Sequence, residues 1–208
     1  MKVILLNGSP NEKGCTYTGL DIIAQQLKTH NVDSELYWVG KKPIQHCIAC
    51  RICKQEANAG KCVYDQDLVN TVAQALDSAD ALIIGSAVHY ASSTGAVSSF
   101  CDRLFFSSPP SIKKLKFGAS IVSCRRGGNS ATFDQLNKYF TISQMPIVSS
   151  CYWNGIHGMT PEDVLQDHEG VRIMKTLANN MAYMIKMKHT ANLPQPKDEP
   201  MAVTHFIR

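Results

Sequence analysis

No hydrophobic run in the sequence approaches the length of a membrane span, which argues against a helix that crosses a bilayer. Charge is also scarce. Charged residues make up 18% of the chain against 44% hydrophobic, a balance that supports a real core and excludes long disorder. Neither sign dominates: 21 Lys and Arg against 17 Asp and Glu leave a formal charge of +4, a mild surplus that suits anionic small molecules. The only dense basic cluster, Lys113-Lys114-Leu115-Lys116, has no interleaved aromatics, so no nucleic-acid partner is expected. Met1-Lys2 leads into a run of four apolar residues, Val3 to Leu6, too short for the core of a secretory signal. The expectation is therefore a soluble cytoplasmic protein of one domain. Cysteine, in contrast, is abundant, with eight residues in 208. With no secretion signal, metal binding or redox chemistry is a better expectation for them than a disulfide scaffold.

Periodicity alternates along the chain. Val3-Ile4-Leu5-Leu6, Leu36 to Val39, Ala81-Leu82-Ile83-Ile84-Gly85, Phe117 to Ser123 and Pro146 to Ser149 read as five short strands, mostly continuous in apolar residues as buried parallel strands are. Five helical patterns lie between and after them: Leu20, Ile23, Ala24 and Leu27; Leu68, Val72, Ala75 and Leu76; Val97, Phe100, Cys101 and Leu104; Phe133, Leu136 and Phe140; and Val171, Met174, Ala178, Met181 and Ile185. Strands and helices in alternation, joined by right-handed crossovers, predict a three-layer doubly wound α/β fold with a five-stranded parallel sheet. The domain is expected to span residues 1–190. An aperiodic insertion with cysteines is expected at about 41–66, and an extended tail at 191–208 whose apolar tip, Phe206-Ile207, docks.

The segment from Asn7-Gly8-Ser9-Pro10-Asn11 to Gly14-Cys15-Thr16-Tyr17-Thr18 joins the first strand to the first helix. In an open α/β sheet, ligands bind outside the carboxyl ends of strands, where an anion meets unpaired amides at a helix N-terminus. Neither the dinucleotide fingerprint nor the Walker loop is present. Hydroxyls and glycines in their place suit a terminal phosphate monoester; the plainer reading is an ordinary capped helix.

Gly-Ser-Pro-x-x-x-Gly-x-Thr after a first strand resembles the flavin phosphate loop of flavodoxin-like NAD(P)H-dependent FMN reductases. Two further segments share the resemblance: Ser86-Ala87-Val88-His89-Tyr90, continuing to Asp102-Arg103, and Cys124-Arg125-Arg126-Gly127-Gly128-Asn129. The family has proline where Ala87 stands, and often tyrosine or tryptophan where His89 stands. The resemblance implies strand order 2-1-3-4-5 and an FMN cofactor. It places Ser9, Asn11, Cys15, Thr16 and Tyr17 at the phosphate and Ala87, Val88, His89 and Tyr90 along the ring. Cys124, Arg125, Arg126, Gly127 and Gly128 fall in a third flavin loop, where a cation beside N1 and the C2 carbonyl would favour the reduced flavin. Hydride transfer from NAD(P)H needs stacking rather than a side-chain acid or base, so no catalytic residue is assigned. The resemblance further implies a homodimer and a small acceptor: a quinone, flavin, nitro or azo compound.

Cys47-x2-Cys50-x2-Cys53-x8-Cys62 is a second constellation, with spacing that can bring four thiolates onto an iron–sulfur cluster or zinc. It resembles the compact cysteine motif of iron–sulfur flavoproteins, except that the last gap there is usually shorter; a [4Fe-4S] cluster is the metal centre so implied. Free or redox-active thiols are the alternative. Three functional readings therefore stand: an NAD(P)H-dependent FMN oxidoreductase, an iron–sulfur flavoprotein that carries electrons, and a non-enzymatic flavin-sensing interaction protein. Cys101, on an apolar helix face, and the methionines of the last helix are expected in the core. Tyr152 and Trp153 are expected in core or interface packing, and Asp65 and Asp67 at the start of the following helix.

Overall fold

The computed structural model describes residues 1–206. Strand β1 (Lys2–Asn7) is followed by α1 (Cys15–Thr29), β2 (Asp33–Trp38), α2 (Val69–Asp77) and β3 (Ala81–Ala87). Next come α3 (Gly95–Ser107), β4 (Phe117–Cys124), α4 (Asn129–Ile142), β5 (Gly155–His157), α5 (Pro161–Gln166) and α6 (His168–Ala191). The five strands are all parallel in the order β2-β1-β3-β4-β5. This is the expected flavodoxin-like arrangement. Between β2 and α2 lie two single 3-10 turns, Ile52–Lys54 and Glu56–Asn58.

The continuous apolar strands feed two cores at once, because successive side chains point to opposite faces. Val3, Leu5, Ala81, Ile83 and Ile121 pack under α1 and α6. Ile4, Leu6, Leu82, Ile84 and Val122 pack under α2, α3 and α4. Met174 and Met181 lie in the first core and Cys101 in the second, fully buried as their helix faces require. Among the described residues, no helix is long and apolar enough to cross a membrane.

Three expectations need correction. The fifth strand is Gly155–His157, not Pro146–Ser149. Residues 146–148 do run beside the start of β4, with Gly118 donating to the Pro146 carbonyl and Val148 to that of Gly118, but only one bridge forms before the chain leaves the sheet. Pro146 has no N–H to extend a ladder. Asn154 fills the gap between the two segments, its Nδ2 donating to the Ser120 carbonyl at 3.0 Å and its own carbonyl accepting from Val122 at 2.9 Å. Of the two places expected for Tyr152 and Trp153, the core is excluded, since both lie on the excursion and are more than half exposed in the single chain. Six α-helices form among the described residues rather than five, since Thr160 opens the short α5 with a capping box closed by Asp163.

Residues 192–206 have no regular structure; Phe206 is exposed and Ile207 lies outside the described residues. The tail touches the body where Lys114 donates to the Asp198 carboxylate and the Pro196 carbonyl.

Phe140 is fully buried beneath β4, where Gly118 leaves room for its ring, and it meets Phe105 edge-on at 5.9 Å. Replacing Phe140 with Ala is expected to cost about 3–5 kcal/mol of stability, read from the denaturation midpoint in urea.

Candidate functional site

The carboxyl ends of β1, β3, β4 and β5 lie side by side, and the loops that follow them make one surface. The β1–α1 loop is held from inside by Asn7, which is fully buried: its Oδ1 accepts from Ser9 N at 3.1 Å and its Nδ2 donates to the Glu12 carbonyl at 2.9 Å. Gly8 N donates to the Gly85 carbonyl at 2.8 Å, and the Gly8 carbonyl accepts from Thr94 Oγ1 at 2.8 Å. A Cβ at Gly8 would fall 1.7 Å from Val97 Cγ2, so only glycine permits this approach. Ser9 Oγ accepts from Asn11 N, and the Ser9 carbonyl accepts from Trp38 Nε1.

The loop delivers the chain to α1 with Gly14 as N-cap, a residue that has no side chain with which to cap. The amides of Cys15, Thr16 and Tyr17 consequently have no hydrogen-bond partner among the described residues. Three convergent donors at a positive helix end form an anion cradle. The ordinary capped-helix reading does not describe this end, whereas α3 is capped by Thr94 in the usual way. The Thr16 hydroxyl turns inward to Ser123 Oγ at 2.8 Å, so only its amide faces the cradle. Cys15 Sγ donates to the Gly158 carbonyl at 3.5 Å, and burial pushes its thiol pKa up. The exposed Lys13 ammonium lies 3.8 Å above the Tyr17 ring, adding a cation beside the cradle.

After β3, His89 and Ser92 exchange both backbone hydrogen bonds at 2.9 Å around a two-residue turn. Tyr90 and Ala91 occupy that turn with φ of 50° and 57°. Left-handed backbone costs about 1–2 kcal/mol per non-glycine residue. It holds the Tyr90 ring wholly in solvent, and strain retained to present an exposed aromatic is a mark of a binding edge. Gln135 Oε1 secures the turn by accepting from Ser92 Oγ and Ser93 N, both at 2.9 Å. Val88 N donates to the Ser123 carbonyl, and Ala87 and Val88 are half-buried beneath the hairpin.

The third loop packs on the second. Gly128 has φ of 84°, and a Cβ there would lie 2.9 Å from both Ala91 Cα and Val88 Cγ1. It leads into α4, which also lacks a side-chain cap. Arg125, Arg126 and Gly127 are exposed, and neither guanidinium meets a carboxylate among the described residues. Cys124 is buried; that burial raises its thiol pKa, with partial relief from the Arg126 backbone N–H. Opposite Cys124 in the sheet, His157 places Nδ1 3.2 Å from Asp167 Oδ2. Asp167 also accepts from His157 N and caps α6 through Gly170 N.

The four cysteines of the insertion come together elsewhere. Cys47, Cys50, Cys53 and Cys62 line one small pocket with Arg103 and Phe106, enclosing about 20 Å³. Ala49 and Arg51, between the first three, have positive φ of 54° and 59°, which curls the loop around the pocket. Phe106 lies about 18 Å along the axis of α3 from Thr94, at 1.5 Å per residue, so this pocket is remote from the strand-end loops. Among the described residues no three His, Cys, Asp or Glu side chains are placed to share one metal ion. The pocket therefore gathers the thiols without closing them into a mononuclear site. Four cysteine thiols around one pocket are the donor set that an iron–sulfur cluster takes. Burial raises the Cys53 thiol pKa.

The sequence profile of the NADPH-dependent FMN reductase family matches residues 1–159. The chain belongs to this family. An iron–sulfur flavoprotein of Methanocaldococcus jannaschii is 26% identical over 197 residues, covering 90% of this chain and 98% of its own. A second iron–sulfur flavoprotein from that organism is 25% identical over 201 residues, again covering 90% and 98%. Among solved structures, RosB with a bound 8-demethyl-8-formylriboflavin-5′-phosphate superimposes with a TM-score of 0.72 at 11% identity, covering all of this chain and 92% of that one. An archaeal flavodoxin does so with 0.58 at 19%, covering 89% and 99%. This member of the FMN reductase family is thus an FMN-dependent oxidoreductase on a flavodoxin-like fold.

Four residues with definite work here carried no signal of their own. Asn7 acts through hydrogen bonds to backbone two and five residues on, and Gln135 through bonds from Ser92 Oγ and Ser93 N, 43 and 42 positions earlier. Asp167 serves His157 from ten positions away. Arg103, grouped by resemblance with the flavin-loop helix, belongs to the cysteine pocket. Asp65 and Asp67 do lie before α2: Asp67 Oδ1 accepts from Val69 N, and Asp65 accepts from Asn70.

Proposed function

We propose that this FMN oxidoreductase takes its electrons from NAD(P)H and passes them to a small acceptor such as a quinone, flavin, nitro or azo compound. The observation that carries the reading is the uncapped start of α1, where three free amides meet the Ser9–Asn11 turn. In this reading the amides of Cys15, Thr16 and Tyr17 hold the phosphate of FMN, with Ser9, Asn11 and Lys13 beside them. Ala87, Val88, His89 and Tyr90 line the ring, with Tyr90 available to stack on it. Cys124 through Gly128 close the far edge. FMN, when bound, accepts hydride and releases its electrons to a second substrate at the same face. The chain's part is to orient that face and, through Arg125 and Arg126, to favour the anionic reduced form.

A homodimer belongs to this proposal, supported by the exposed Tyr152, Trp153 and Phe206. Titration with FMN is expected to quench the flavin's fluorescence and raise the melting temperature, and light scattering is expected to give twice the chain mass. Steady-state oxidation of NADH or NADPH with a quinone separates an enzyme from a flavin sensor, since a sensor would turn over almost none. Replacing Arg125 and Arg126 together by Gln is expected to lower the flavin's two-electron potential while leaving FMN bound. An unchanged potential would remove these residues from the ring's edge.

A second reading is favoured by the cysteine pocket and supported by the names of the relatives. In it Cys47, Cys50, Cys53 and Cys62 hold an iron–sulfur cluster, and the chain passes single electrons onward. Protein purified without oxygen is then expected to contain iron and acid-labile sulfide in stoichiometric amounts. Metal-free protein that still turns over NAD(P)H would leave the first reading alone.

A further inference from the structure

Arg103 is the largest fully buried side chain among the described residues, and its guanidinium is spent on the cysteine insertion. Nη1 donates to the Asp67 carboxylate and to the Gln45 carbonyl at 3.3 Å, and Nη2 to the Tyr64 carbonyl at 2.6 Å. Nε donates to Cys62 Sγ at 3.2 Å. The partners run from residue 45 to residue 67, so one side chain on α3 fastens both ends of the insertion and aims an N–H at one of its four sulfurs. We propose that Arg103 is a positioning residue that sets the reduction potential of an iron–sulfur cluster in this pocket, acting through its hydrogen bond to Cys62. This rests on the second reading given above.

The physical argument concerns charge. A cluster held by four thiolates is net negative, and reduction adds one electron and no proton. A donor N–H on a ligand sulfur is worth more once that electron has arrived, so it favours the reduced form. The effect is strong only where water is excluded, and the Arg103 side chain has no exposed surface. Asp67 opposes it. Its carboxylate offsets the guanidinium charge and cannot swing away, since its other oxygen accepts from Val69 N at the start of α2 at 3.1 Å. The two residues therefore act on the potential with opposite signs. A purely structural role predicts something else: either substitution would loosen the loop, and any shifts would share one direction.

The test uses the full chain purified without oxygen, with iron and sulfide assayed and the potential read by a reductive dithionite titration followed by electron paramagnetic resonance. Arg103→Lys keeps a charge but cannot hold the planar fork, and Arg103→Gln removes the charge. Both are expected to lower the potential. Asp67→Asn, which keeps an acceptor for Val69, is expected to raise it. Each shift is expected to reach a tenfold change in the one-electron equilibrium, about 59 mV. Failure of both Arg103 variants to retain iron overturns the proposal in favour of a purely structural role. Stoichiometric iron with unmoved potentials, or shifts of one sign in all variants, overturns the role of Arg103 alone. Wild-type protein without iron overturns that role together with the cluster.

Discussion

The glycine at the head of α1 decides what this surface can do. Any of the common capping residues at position 14 would turn its side chain onto the first free amides and satisfy them. Gly14 cannot, and so the donors of Cys15, Thr16 and Tyr17 stay available for an anion. The cost of leaving them open is met by the rigidity of the loop before them. Asn7 braces that loop from within, while Gly85, Thr94 and Trp38 hold it from three neighbouring segments. The cradle is a consequence of where the loop is fastened, since free amides on a slack loop would turn to water or to one another.

The second and third loops depend on the same logic of contact between strand ends. The strained Tyr90–Ala91 turn persists because Gln135 and Gly128 hold it from α4, and Gly128 in turn is needed because Ala91 comes so close. Each loop gives the next its shape, and the set presents an exposed aromatic ring, two unpaired guanidinium groups and an anion cradle on one face. Electron-transfer chemistry on a flavin needs such a preorganised edge more than it needs a proton-transfer residue. The cysteine pocket is a separate device at the other end of α3. It is joined to the strand-end surface through that helix and not through a shared cavity.

Much of this was legible in the order of residues. Short continuous apolar runs and a period of 3.6 announced four of the five strands and the main helices, and the Gly-Ser-Pro loop, the Ser86–Tyr90 segment and the Cys124–Asn129 segment marked three of the strand ends. The edge of the sheet was not legible. Gly155-Ile156-His157 contains one apolar residue, while Pro146–Ser149 has the hydrophobicity of a strand. The edge position, the missing N–H of Pro146 and the Asn154 bridge determine which of them pairs. The inward turn of the Thr16 hydroxyl was hidden for a similar reason, because Ser123 lies 107 positions away.

Sequence by itself determined the alternation of elements, the place of the glycine- and hydroxyl-rich β1–α1 loop and the spacing of the four cysteines, because each is a local pattern within a few turns of chain. Tertiary structure alone decided that the α1 amides stay free, that Tyr90 stands out in solvent, and that Arg103 turns away from the strand-end loops to bond a cysteine 41 positions earlier. Those outcomes depend on which groups satisfy which others once water is excluded. A buried donor takes the acceptor that folding brings within reach, whatever its distance along the chain.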